Sequence, residues 1–260
     1  MIRTATRVDF RAIRDLLARA NDAPYDIDAV AEEKCFGDGV SGAPHVRVFD
    51  DGALRGVAVT CGEYLRILAV DRGHRRRGIG TALLEASQAS TIGAEPGNYF
   101  TPGVLEPEFF LRRGFRQVAQ TWNLNVEIGD SRLEIGRHVQ SSISNLQSPS
   151  PVMLAFVEQH FGATWRFEAQ RAQIAHYIDG VGFAVAEANN RGLGSFGPTG
   201  VATEFRGKGF GRQLLLACLA DLRDLGYSRV IIPWTDAIDF YRKSCGATPA
   251  HRFVTLRKSL

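Results

Sequence analysis

Residues 69–86 read AVDRGHRRRGIGTALLEA, and residues 200–217 read GVATEFRGKGFGRQLLLA. Both begin with an apolar strand end, pass through a basic, glycine-containing turn and continue into a leucine-rich helix. The offset between them is 131 residues throughout, pairing Val70 with Val201, Arg75 with Arg206, Gly78 with Gly209 and Gly80 with Gly211. It also pairs Leu83 and Leu84 with Leu214 and Leu215, and carries Phe110 onto Tyr241. A repeat at half of a 260-residue chain reads as one module used twice.

Around each copy the apolar pattern alternates between strand and helix periods. In the first half, Ile2–Thr6 is a strand, and Asp9 caps a helix carrying Ile13, Leu16, Leu17 and Ala20 at helical spacing. HVRVF and LRGVAV flank the turn Asp50–Gly52, and YLRILAV leads into the glycine turn. A short helix at Pro107–Arg113 precedes a strand alternating Trp122, Leu124, Val126 and Ile128. In the second half, Ser150-Pro151 opens a helix through Phe161, and VGFAVAE and LGSFGPTGV flank the turn Asn189–Gly192. The helix after Gly209 places Leu214, Leu215, Cys218, Leu219, Leu222 and Leu225 on one side; VIIPW is a strand and Asp236–Ser244 a helix. The stretch Val139–Ser150 is a linker or holds the second half's first strand. Domains of 1–135 and 136–260 follow, with the boundary near residues 130–145.

Composition narrows the class. Apolar residues make up 45% and charged residues 23%, ordinary for a globular protein, and a formal net charge of +3 is too small to steer nucleic acid. Cys35, Cys61, Cys218 and Cys245 are scattered without metal-ligand spacing. The opening MIRTATRVDF has no apolar signal core, and no apolar run is long enough to span a bilayer. The expectation is a reducing, cytoplasmic location, with neither a membrane nor a nucleic-acid partner and no metal.

The turns are Arg75-Arg76-Arg77-Gly78-Ile79-Gly80-Thr81 and Arg206-Gly207-Lys208-Gly209-Phe210-Gly211-Arg212. A helix start offers free N–H groups and partial positive charge, glycine lets an anion approach the backbone, and no carboxylate competes. A solvated basic turn is the plain alternative. A dinucleotide fold wants its glycines after the first strand, and a Walker loop wants Ser or Thr after the lysine, whereas Lys208 is followed by Gly209.

The pattern Arg-x-x-Gly-x-Gly, after a strand ending in Val and before an amphipathic helix, resembles motif A of the GNAT N-acetyltransferases. Arg75, Gly78 and Gly80 match it once, and Arg206, Gly209 and Gly211 match it again. The tandem layout is similar to that of mycothiol synthases, in which the C-terminal domain catalyses. The resemblance implies a mixed α/β fold of two tandem acyl-CoA-binding domains, each a mainly antiparallel sheet flanked by helices. It further implies acetyl-CoA as cofactor. The turn amides would hold its pyrophosphate, and Leu68, Val70, Thr199 and Val201 would hydrogen-bond its pantetheine arm as an added strand. Gly197, Pro198 and Gly200 independently suggest a bulge or splay in the second strand.

Acetyl transfer to an amine needs proton removal from nitrogen, a donor for the oxyanion and a proton for the thiolate. Ala237–Ala247 resembles the family segment that carries a general-acid tyrosine, here Tyr241, although Gly246 follows it by five residues where the family usually has four. Phe110 stands at that place in the first half and cannot donate a proton. The C-terminal half is therefore expected to catalyse, and the first half to bind acyl-CoA. Glu63 is a possible base in the first half. Glu187, Asp236, Asp239, His176 and His251 are open as bases in the second, and Trp165 and Trp234 as acceptor-pocket walls. The acceptor is expected to be an amine of a small molecule or peptide; a non-catalytic acyl-CoA sensor is the alternative.

Overall fold

The computed structural model describes residues 1–21, 26–93, 95, 107–129, 144–146 and 148–258. The chain divides into two compact units, one formed by Met1–Gln120 with Phe253–Leu260 and the other by Thr121–Arg252. As a division into sequence repeats, 1–135 and 136–260 is a proposal; the compact units exchange the final strands of those repeats.

Unit 1 begins with β1 (Ile2–Thr4), α1 (Phe10–Ala20) and α2 (Ile27–Phe36). Then come β2 (His45–Asp50), β3 (Leu54–Cys61), β4 (Tyr64–Val70), α3 (Ile79–Ser87), β5 (Thr91–Ile92) and α4 (Pro107–Leu111). β1 to β4 form an antiparallel run, while β5 joins β4 in parallel through Tyr64–Thr91 and Leu65–Ile92. The final strand of the chain, β12 (Thr248–Lys258), extends this sheet by pairing Leu256 and Arg257 with β5. The α3 face packs Ala58, Leu65, Leu83, Phe110 and Leu256 into one core. Ile13, Leu16, Leu17 and Ala20 of α1 are all buried, as their spacing predicts.

Unit 2 takes residues 121–127 of β6 (Phe115–Glu127), which begins seven residues before the expected Trp122. It continues through β7 (Ser144–Leu146), α5 (Pro151–Phe161), α6 (Ala163–Ala169), β8 (Ile174–Ile178), β9 (Gly182–Ala186) and β10 (Phe196–Val201). α7 (Phe210–Asp224), β11 (Arg229–Thr235) and α8 (Ile238–Cys245) follow. β7 to β10 form an antiparallel sheet in sequence order, and β11 pairs antiparallel with β6. β7 is the alternative raised for the Val139–Ser150 stretch; residues 139–143 and 147 lie outside the described residues.

Several local expectations are corrected. Asp9 directs its carboxylate to the Thr6 amide and Arg3, leaving α1 without a side-chain cap. Leu225 is 62% exposed because α7 ends one residue earlier. The helices α2 and α6 and the strands β8 and β12 were not read from the pattern. β8 is buried at every position, so it shows no alternation. Among the described residues, no helix is long and apolar enough to cross a membrane.

Candidate functional site

The same device is built twice. In unit 1 the β3–β4 register slips between Val59–Ile67 and Thr60–Leu65, placing a bulge at Arg66. In unit 2 the β9–β10 register slips between Phe196 and Thr199, around Gly197-Pro198. Arg66 and Gly197 are 131 residues apart, so the bulges coincide in the repeat, and the sequence signal was visible only at the second. Just before β10, Ser195 makes an isolated parallel bridge to Ile231 of β11. A bulge redirects the strand and frees backbone groups from the ladder.

After each strand the chain turns into a helix through a left-handed glycine. Gly78 (φ 81°) caps α3, and Gly209 (φ 89°) caps α7. A side chain would be strained there, whereas glycine leaves the first-turn amides open to an anion. Gly80 and Gly211 each lie beside an aromatic ring. A Cβ on Gly80 would lie 3.5 Å from Phe109, and one on Gly211 would lie 3.5 Å from Phe240. Phe109–Phe110 and Phe240–Tyr241 then make matching edge contacts, with centroids 5.0 and 4.9 Å apart.

The first arginine of each motif is not held out toward a phosphate. Arg75 Nε donates to the Val70 carbonyl at 3.2 Å, and Arg206 Nε donates to the Val201 carbonyl at 3.1 Å. These bonds lock the turn onto the strand end, and they engage the carbonyls expected to receive the pantetheine arm. Thr199 Oγ1 donates to the Phe183 carbonyl. Arg77, Lys208 and Arg212 are exposed, while Ile79 is a core side chain and contributes only backbone to the turn. Arg113, which the sequence reading missed, donates to Thr81 Oγ1 at 2.6 Å and stacks on Phe109 at 3.8 Å.

In unit 1 a cleft of about 770 Å³ opens between these elements. Its lining includes Leu68, Val70, Arg75, Arg76, Gly78, Gly80 and Thr81 of the expected set, together with Phe110 and Arg113. In unit 2 the corresponding strand carries Gly200, and a Cβ there would clash with the ring of Phe161. Phe161 stacks on Trp165 with centroids 5.1 Å apart, so Trp165 supports an aromatic wall.

Tyr241 is buried on α8, edge-on to Phe196 of β10 with centroids 6.1 Å apart. Burial, then Cys245 and Asp236, push its hydroxyl well above the ordinary tyrosine range. Arg242 is 62% exposed and pairs with Asp239, so the extra residue before Gly246 leaves Tyr241 on the inner face.

The base candidates separate. Glu187 is buried and accepts from the Gly192 and Ser195 amides and the Tyr227 hydroxyl; burial raises its pKa. It anchors the β9–β10 loop. His176 Nε2 lies 2.9 Å from Asp221, tying β8 to α7. Glu63 accepts from Ser90 Oγ at the opposite end of β4 from the glycine turn. Asp236 is exposed, and His251 lies on β12. The Trp234 amide donates to Asn123 Oδ1 where the β6–β11 register slips.

The model of the acetyltransferase (GNAT) family matches residues 146–247. No curated protein matches the sequence. Among solved structures, the chain is similar to a GCN5-related glucosamine N-acetyltransferase region of a fungal multi-domain GH3 β-N-acetylglucosaminidase. That match has 17% identity and a TM-score of 0.74, and covers 98% of this chain but 38% of the other. A tandem GNAT protein from the clavulanic acid biosynthesis pathway gives 16% identity and a TM-score of 0.73 over 98% of this chain and 97% of that one. A GCN5-related N-acetyltransferase from Sphaerobacter thermophilus gives 20% and 0.64 over 99% and 95%. The chain has the mixed α/β GNAT fold in tandem, and its residues 146–247 match the acetyltransferase (GNAT) family.

Proposed function

We propose that the protein is an acyl-CoA-dependent N-acyltransferase, moving an acetyl group from acetyl-CoA to an amine of a small-molecule or peptide acceptor. The observation that carries this reading is the doubled cradle: a bulged strand, a left-handed glycine cap and an open helix start, in the same register in both units. The family match over residues 146–247 supports unit 2 as the catalytic one.

In this reading the amine nitrogen attacks the thioester carbonyl, and the C–N bond forms as the oxygen takes negative charge. Backbone N–H groups freed by the β10 bulge stabilise that oxygen. The C–S bond then breaks, and the sulfur takes a proton from Tyr241, which solvent restores. The amine's own proton leaves through water. A hydroxyl whose pKa is raised by burial stays protonated at neutral pH, as an acid must. Phe161 lies against Gly200 and bounds the acyl site on that side, which favours a small acyl group. Unit 1 carries Phe110 in place of the tyrosine and serves as an acyl-CoA-binding unit.

The test is an amine panel with acetyl-CoA, scored by CoA release, beside calorimetry on Gly209→Asp. A Cβ at Gly209 meets nothing within 4 Å, so the variant sets a carboxylate where pyrophosphate belongs at the cost of a strained left-handed cap, and circular dichroism checks that it folds. Loss of one binding site and of turnover is expected. Unchanged stoichiometry in the folded variant would remove the cofactor assignment. A second reading, a non-catalytic acyl-CoA sensor, is favoured if Phe161 closes the unit 2 slot entirely; cofactor binding without turnover of any amine would establish it.

A further inference from the structure

The cleft of unit 1 has two chemically different ends. On the α3 side stand Arg76 and Arg112 with the open helix start, a setting for phosphate. The other end lies on the opposite face of β4. Leu68 and Val70 pack toward the α3 core, so Ile67 and Ala69, which alternate with them, face away from it. Together with Leu17 and Ala20 of α1 and Ile27 of α2, they make an apolar wall. Beside that wall, Arg66 is fully buried and held by both oxygens of Glu95 at 2.6 Å, and Arg75 is turned onto the Ala20 carbonyl at 3.0 Å. A cationic amine would find no carboxylate among these wall residues, whereas a hydrocarbon chain would find mainly apolar side chains, with Asn21 their polar neighbour.

Unit 2 shows what the same position looks like when filled. Ala69 corresponds to Gly200 at the 131-residue offset, and over Gly200 lies Phe161, backed by Trp165. No aromatic ring lines the described α1 side of the unit 1 cleft.

We propose that the unit 1 cleft binds an acyl-CoA carrying a medium-length hydrocarbon acyl chain, with the chain lying on Ala69 against α1. This rests on the acyl-CoA reading above and adds the class of acyl group. Binding forms and breaks no covalent bond; it removes methylenes from water, and affinity should rise about tenfold for each two methylenes buried.

The experiment uses the full chain with Gly209→Asp, so that unit 2 is silenced, and titrates CoA, acetyl-CoA, hexanoyl-CoA and octanoyl-CoA by calorimetry. Affinity should climb steeply from acetyl to hexanoyl. Ala69→Phe, which copies the aromatic filling of unit 2, should abolish that climb while CoA itself still binds. Equal affinities for acetyl-CoA and octanoyl-CoA would overturn the chain-length inference and leave the acyl-CoA reading standing. So would a gain that persists in folded Ala69→Phe. Failure of every CoA species, free CoA included, to bind the parent protein would overturn both. Should Ala69→Phe lose its circular dichroism, the chain-length series in Gly209→Asp decides alone.

Discussion

Phe161 of α5 occupies the space that a side chain on Gly200 of β10 would need. Glycine at 200 is therefore a packing requirement of the aromatic wall. Gly200→Ala should force the ring outward and cost about 1–3 kcal/mol, the usual range for overpacking. Phe161→Ala should cost a similar amount, less than for a fully buried ring because Phe161 is half-buried, and should widen the unit 2 slot. Urea unfolding measures the first effect, and acyl-CoA titration the second. A Gly200→Ala protein as stable as its parent would show that the ring yields freely.

Tyr241→Phe keeps the ring that packs on Phe196 and Phe240, so the midpoint of unfolding at neutral pH should hardly move. Loss of the acid should lower kcat about 10²–10⁴-fold with little change in acetyl-CoA affinity. A near-normal rate here, with collapse in Arg242→Ala, would mean that Arg242 and not Tyr241 faces the reacting sulfur, and that the thiolate leaves stabilised by a cation.

Alkaline pH adds a signed test of the same residue. The folded-state pKa of Tyr241 is raised above an ordinary value of about 10. The stability that its buried neutral form contributes is complete below that value and is lost as pH rises through the folded-state pKa. The parent protein should thus weaken above about pH 10 more than Tyr241→Phe does. Parallel alkaline curves for the two proteins would contradict the burial assigned to the hydroxyl.

Arg76 has φ 65°, while Gly207, its counterpart in the repeat, has φ 77°. The left-handed region costs an L-residue about 1–2 kcal/mol, partly offset by the greater freedom of glycine in the unfolded chain. Arg76→Gly should therefore stabilise unit 1 by up to about 1 kcal/mol, and Gly207→Ala should destabilise unit 2 by about as much. Denaturant midpoints read both changes, and opposite signs would refute the strain argument.

The Arg66–Glu95 pair is buried on both sides, with side-chain exposures of 0% and 2%. Arg66 Nη1 also donates to the carbonyls of Lys34 and Gly37. Arg66→Met would strand a buried carboxylate at a cost of about 3–5 kcal/mol, and adding Glu95→Leu should recover much of it. A double variant no better than the single would assign the loss to the carbonyl contacts.

The sequence by itself determined the repeat and its two glycine turns. Those features are local: a left-handed helix cap needs glycine wherever the turn recurs, and the buried face of α1 follows from its 3.6-residue period. It also located the Gly197-Pro198 bulge, because glycine and proline disfavour regular pairing. The matching bulge at Arg66 carried no such mark, since there the partner strand's register, and not the residue type, makes it. Only the tertiary structure turned Arg75 and Arg206 back onto the strand, brought Glu95 to Arg66 and laid Phe161 over Gly200. The arginine bonds span only five residues but depend on where the strand end lies, and the other two contacts join residues distant along the chain; their geometry depends on how helices and strands pack, which no local pattern encodes.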